Sequence, residues 1–71
     1  MFVFLNQLNG GNPVVEDVNN IREFYPGETT LESGASLNGT VLELYRGGTW
    51  IVSQTVREVY EVCQKAKRGE L

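Results

Sequence analysis

The sequence predicts a small α+β domain: an antiparallel β-meander of four to five short strands, with one C-terminal amphipathic α-helix packed on one face. Three observations carry this reading. Short apolar runs with a two-residue period alternate with glycine- and asparagine-rich turns as far as residue 53. The period then changes to three and four residues after Thr55. At 71 residues the chain makes a single domain, 1–71, near the lower limit at which an apolar core alone outweighs backbone entropy, so help from oligomerisation is expected.

The first strand is 2-FVFL-5 with its continuation to Leu8, rich in the aromatic and branched residues that suit a pleated surface. It ends at 9-NGGN-12, where Asn-Gly and Gly-Gly supply the positive φ that a tight reversal needs. Pro13 opens a second short strand with Val14 and Val15, since proline fits a strand start or an edge. The acids and asparagines of 16-EDVNN-20 favour local side-chain-to-backbone turns and predict a bend. Ile21 to Tyr25 then alternates again, closed by Pro26-Gly27.

Residues 26–39 read as a long polar loop inserted between two strands, flexible at 33-SGAS-36 and flanked by Leu31 and Leu37. Such an excursion costs little closure entropy, yet unstructured insertions of this size in compact domains are uncommon and often functional. It is therefore expected to be a contact loop rather than an inert spacer. The clearest alternation follows in 40-TVLELYR-46, with Leu42 and Leu44 as the expected core pair. Gly47-Gly48 turns the chain into 49-TWIVS-53.

The segment 55-TVRE-58 has the form of a capping box, in which the threonine hydroxyl and the glutamate carboxylate serve each other's backbone amides. Val56, Val59, Tyr60, Cys63 and Ala66 then recur at helical spacing, and Gly69 ends the helix. Twelve residues are too few for a stable isolated helix, so this one must lie on the sheet. Phe2, Phe4, Trp50 and Tyr45 exceed what one helix can cover, which makes the opposite face a candidate for self-association.

The net charge of −3 argues against a general nucleic-acid binder, because sequence-independent affinity for phosphates comes from clustered Lys and Arg. Lys65, Lys67 and Arg68 form the one basic cluster, placed where cations complement a helix dipole. A single cysteine permits no intrachain disulfide or cysteine-based zinc site and fits a reducing compartment. The apolar opening is too short for a signal sequence or a membrane span. A cytoplasmic protein without a membrane partner is expected.

In order and spacing, 8-LNG-10, 17-DVNNI-21, 40-TVLEL-44, 47-GG-48 and 51-IVSQTVREVYEV-62 resemble the small FlbD-type flagellar and motility-associated proteins. The same rhythm looks like part of LytTR-type DNA-binding domains. The FlbD-type resemblance implies a small non-enzymatic regulator acting through protein contacts, and transfers no catalytic residue. Three departures stand out: Asp17 stands where an asparagine is usual, Glu16 occupies a place where the pattern expects an apolar residue, and most of 28-ETTLESGASLNG-39 has no counterpart.

With no histidine, the chain lacks the side chain best suited to proton transfer near neutral pH and the commonest metal ligand. Cys63, on an apolar helix face, reads as a small buried hydrophobe. Glu28 and Glu32 read as solvated carboxylates. No catalytic residue, metal ligand or cofactor is assigned. The expected function is a regulatory or binding module that acts through protein contacts, as a homo-oligomer. Its rival is a phage or bacterial protein that sequesters a small molecule or nucleotide, or acts as an inhibitor, with nucleic-acid binding behind both. Candidate binding residues are Tyr25, Tyr45 and Trp50 as stacking platforms, Arg22 and Arg46 as cations, and Glu28, Thr29, Ser33, Ser36 and Asn38 on the polar stretch. Core packing or a subunit interface explains the aromatic residues equally well.

Overall fold

A computed structural model describes residues 1–69. The strands are β1 (Phe2–Leu5), β2 (Val14–Asp17), β3 (Ile21–Thr30), β4 (Ser36–Leu44) and β5 (Thr49–Val52), followed by α1 (Val56–Lys67). One 3₁₀ turn, Val18–Asn20, joins β2 to β3, and the Asp17 carboxylate caps it by accepting from the Asn19 amide at 2.9 Å. The α+β architecture is the expected one. Its strands form two antiparallel sheets, β1–β2 and β3–β4–β5. The two are stitched where the chain leaving β1 runs beside β5, with Leu8 N donating to Ile51 O and Ser53 N to Asn6 O.

Alternation sorts the side chains. Val3 and Leu5 of β1 point inward, with Val14, Leu42 and Val52 from the other strands, and α1 closes this core with Val59, Cys63 and Ala66. Leu42 is fully buried, whereas its expected partner Leu44 is only half-buried. In β3 an extra residue between Ile21 and Glu23 bulges the strand. The bulge resets the alternation, so that Ile21 and Phe24, three apart, both pack on the core. Thr40, buried without exposure, satisfies its hydroxyl by donating to the Gln54 carbonyl at 2.7 Å.

The capping box forms as read, with Thr55 Oγ1 accepting from the Glu58 amide and Glu58 Oε1 from the Thr55 amide, both at 3.1 Å. Tyr60 departs from the expected buried face and stands outward. The buried stripe runs through Val59, Cys63 and Ala66, and a residue one step on from Val59 is turned away by about 100°.

The polar stretch 26–39 requires a larger correction. It is a paired ribbon, not a loop: β3 and β4 stay in register through Pro26↔Thr40, Gly27↔Gly39, Glu28↔Asn38, Thr29↔Leu37 and Thr30↔Ser36. Only residues 31–35 turn the chain, with Leu31 N donating to Ala35 O at 2.8 Å and Gly34 N to Leu31 O at 2.9 Å. Pro26 does not end the strand because β3 pairs only with β4, and an edge strand tolerates a missing amide. At the opposed glycines the backbone closes up: a side chain on Gly39 would collide with the Val52 carbonyl, and one on Gly27 with Val41. The ribbon lengthens the molecule to 41 × 22 × 21 Å. Its radius of gyration is 12.1 Å, against about 11 Å for a compact chain of this length.

Candidate functional site

The expected binding residues fall into four places. Glu28, Thr29, Ser33, Ser36 and Asn38 lie on the β3–β4 arm, all exposed except the half-buried Thr29. At its tip Ser33 Oγ accepts from the Ala35 amide at 3.4 Å, so the hydroxyl shapes the turn.

Arg22 and Tyr25 belong to a cluster on the solvent side of the sheet. The Arg22 guanidinium lies 3.0 Å from Glu43 and 3.2 Å from Glu23. Hydrogen bonding with Glu43 raises the Tyr25 phenol pKa and lowers that of the Glu43 carboxyl. The cation is thus engaged by two carboxylates of its own chain.

Tyr45 and Arg46 sit in the turn between β4 and β5, closed by Gly47 and Gly48 at φ of 91° and 86°. Their backbone amides donate to Asn20, Tyr45 N to the carbonyl at 2.8 Å and Arg46 N to Oδ1 at 3.1 Å. The Tyr45 ring itself is exposed.

Trp50 is not on an uncovered face. It stands opposite the buried Leu42, packs on the core, and its indole donates to Glu16 Oε1 at 3.3 Å. Glu16 was missed as a key residue. Its other oxygen accepts from Asn20 Nδ2 at 3.0 Å and from the Asp17 amide at 3.1 Å, so one carboxylate ties β2, the 3₁₀ turn and β5 together. The signal that could have found it was its acidic character at a position where the pattern expects an apolar one.

Two further surfaces stand out. One is a groove of about 270 Å³ lined by Gln7, Leu8, Asn9, Thr29, Thr49, Trp50 and Ile51. It brings Thr29 and Trp50 together, but neither Arg22 nor Arg46 reaches it. The other is the outward face of the β1–β2 hairpin. Phe2 is 57% exposed, Phe4 68% and Val15 51%, with Val15 directly across the ladder from Phe4. Their neighbours Val3, Leu5 and Val14 are fully buried, so the pleat commits these three side chains to solvent.

Cys63 is buried and unpaired, and burial pushes its thiol pKa up, partly opposed by Lys67. Such a thiol is a poor nucleophile. Among the described residues no helix is long and apolar enough to cross a membrane, and no cluster of three metal-ligating side chains occurs. No protein-family model, characterised protein or solved structure matches the chain.

Proposed function

We propose that this chain is a small non-enzymatic binding module that acts in the cytoplasm through protein contacts, as a homo-oligomer. The outward face of the β1–β2 hairpin is its contact surface. The observation that carries this reading is the cross-strand trio Phe2, Phe4 and Val15, each more than half exposed on a two-stranded hairpin. Contiguous apolar surface of this kind on a small domain marks an interaction site. The FlbD-type resemblance supports a regulator that works by contact, and a buried, unpaired Cys63 suits a reducing compartment.

Light scattering of the wild type against Phe4→Asp tests the reading. The wild type is expected to associate at micromolar concentration and the variant to run as a monomer with an unchanged circular-dichroism spectrum. A strictly monomeric wild type would refute it.

A second reading is small-molecule binding in the groove between Thr29 and Trp50. The hydroxyls of Thr29 and Thr49 beside an indole suit a neutral, partly aromatic ligand. The groove lies just below the ~300 Å³ lower end of typical ligand sites and its lining has no Lys or Arg for a phosphate. Thermal-shift screening with nucleosides and nucleotides separates the readings, since a ligand of the folded state raises the melting temperature.

A further inference from the structure

The charge of this molecule is divided along its length. From Glu23 to Tyr45 the chain carries four acids, Glu23, Glu28, Glu32 and Glu43, and no Lys or Arg. The last helical turn carries Lys65 and Lys67, both exposed, and no acid from Gln64 to Arg68. The helix begins beside the base of the arm, where Thr55, Val56 and Arg57 share a groove with Pro26, Asn38 and Gly39. It ends beside Met1, whose Cε stands 3.5 Å from where a side chain on Gly69 would begin. Twelve residues of helix, about 18 Å, therefore separate the base of the acidic arm from the basic turn.

We propose that the β3–β4 arm docks on the last two turns of α1 in a second copy of this chain, in a two-fold arrangement where each arm reaches back along its partner. Glu28 and Glu32 of one copy face the basic end of the other's helix, where Lys67 lies on the Tyr60 face and Lys65 on the opposite flank. Leu31, exposed at the arm's turn, meets the exposed Tyr60, which shares a helix face with Lys67 one heptad on. This rests on the self-association reading above and names its second contact.

Three considerations select this occupant. The complementary charges lie on one chain, but the helix holds them apart within it, so another copy is the simplest way to join them. A two-fold axis makes the contact twice and closes the assembly. Area points the same way: the exposed parts of Phe2, Phe4 and Val15 offer roughly 300 Å² if an aromatic side chain presents about 200 Å². A standard interface buries about 800 Å² per partner, so the hairpin face alone is too small. Strand pairing through the β3 edge does not supply the remainder, because Pro26 interrupts its amides and Arg22, Glu23 and Glu28 charge it.

The test uses sedimentation equilibrium at low and high salt on two reversed variants, Glu28→Lys with Glu32→Lys, and Lys65→Glu with Lys67→Glu. Wild-type association is expected to weaken at high salt. Each variant alone is expected to associate at least tenfold more weakly, because its arm and its helix end then carry like charge. Mixed together they are expected to recover, since each arm of the mixed pair again faces the opposite charge. Variants that associate like the wild type, or a mixture of folded variants that fails to recover, would overturn the arm contact. If Phe4→Asp still abolished association in either case, the hairpin surface would stand without it. A monomeric wild type removes both.

Discussion

At the scale of single residues, Glu16 ties three elements of this fold together. It faces inward between Val14 and Val18, where an aliphatic residue would pack, and instead binds the Trp50 indole and the Asn20 amide. Asn20, only 8% exposed, passes the tie on to the β4–β5 turn. The Asn20→Ala substitution should leave both Glu16 and the Arg46 amide short of a partner, at a cost of about 1–3 kcal/mol in urea unfolding. The bend at 16–20 was legible because Asp and Asn capture nearby amides. The carboxylate's partners were not, because Trp50 lies 34 positions away and local pattern carries no long-range pairing.

The Tyr25–Glu43 pair belongs to the same scale. Here the interaction favours the neutral phenol and the charged carboxylate, so it supports the fold above the ordinary carboxyl pKa and below the ordinary phenol pKa. That support is lost as pH falls through the lowered Glu43 pKa, and again as pH rises through the raised Tyr25 pKa. Replacing Glu43 with Gln should move the Tyr25 titration, followed by NMR of its ring, down toward the usual phenol range. An unchanged titration would show that Glu43 is not the cause.

At the scale of elements, the helix and the arm show why pattern reading succeeds in one place and fails in another. The helix carries its own start signal, and Thr55→Ala should cost about 1 kcal/mol by removing one arm of the capping box. Its buried stripe was legible apart from Tyr60, because a core lies beneath it. Beneath the arm lie only the groove at Thr29 and the close approach of Gly39 to Val52. Its paired positions are Glu28 and Asn38, Thr30 and Ser36 on one side, with Gly27 and Gly39, Thr29 and Leu37 on the other, so Leu37 is the one large apolar side chain that marks the two-residue period. Pro26-Gly27 then reads as a stop. The arm's independence has a consequence: replacing residues 29–37 with Asn-Gly should preserve the far-UV spectrum and the cooperative unfolding of the core. An isolated two-stranded ribbon contributes little stability of its own. The same deletion should remove the association that depends on the arm.

At the scale of the whole molecule, the proposed association couples assembly to stability. A domain of this size buries only about 60% of the surface its unfolded chain exposes, so its margin against unfolding is narrow. If copies associate only when folded, mass action adds to that margin as concentration rises. Cys63 reports on it directly, because the thiol is buried in the core and its pKa is raised by burial, so it reacts only when α1 lifts or the chain unfolds. Thiol labelling under native conditions should therefore slow as protein concentration increases, and melting temperature should climb with it. In Phe4→Asp both should become independent of concentration, because the substitution removes apolar contact area without touching the core that shelters Cys63. A wild type whose labelling rate stays constant across a hundredfold range of concentration would show that the folded monomer is the stable unit, and would remove the proposed association through the hairpin face.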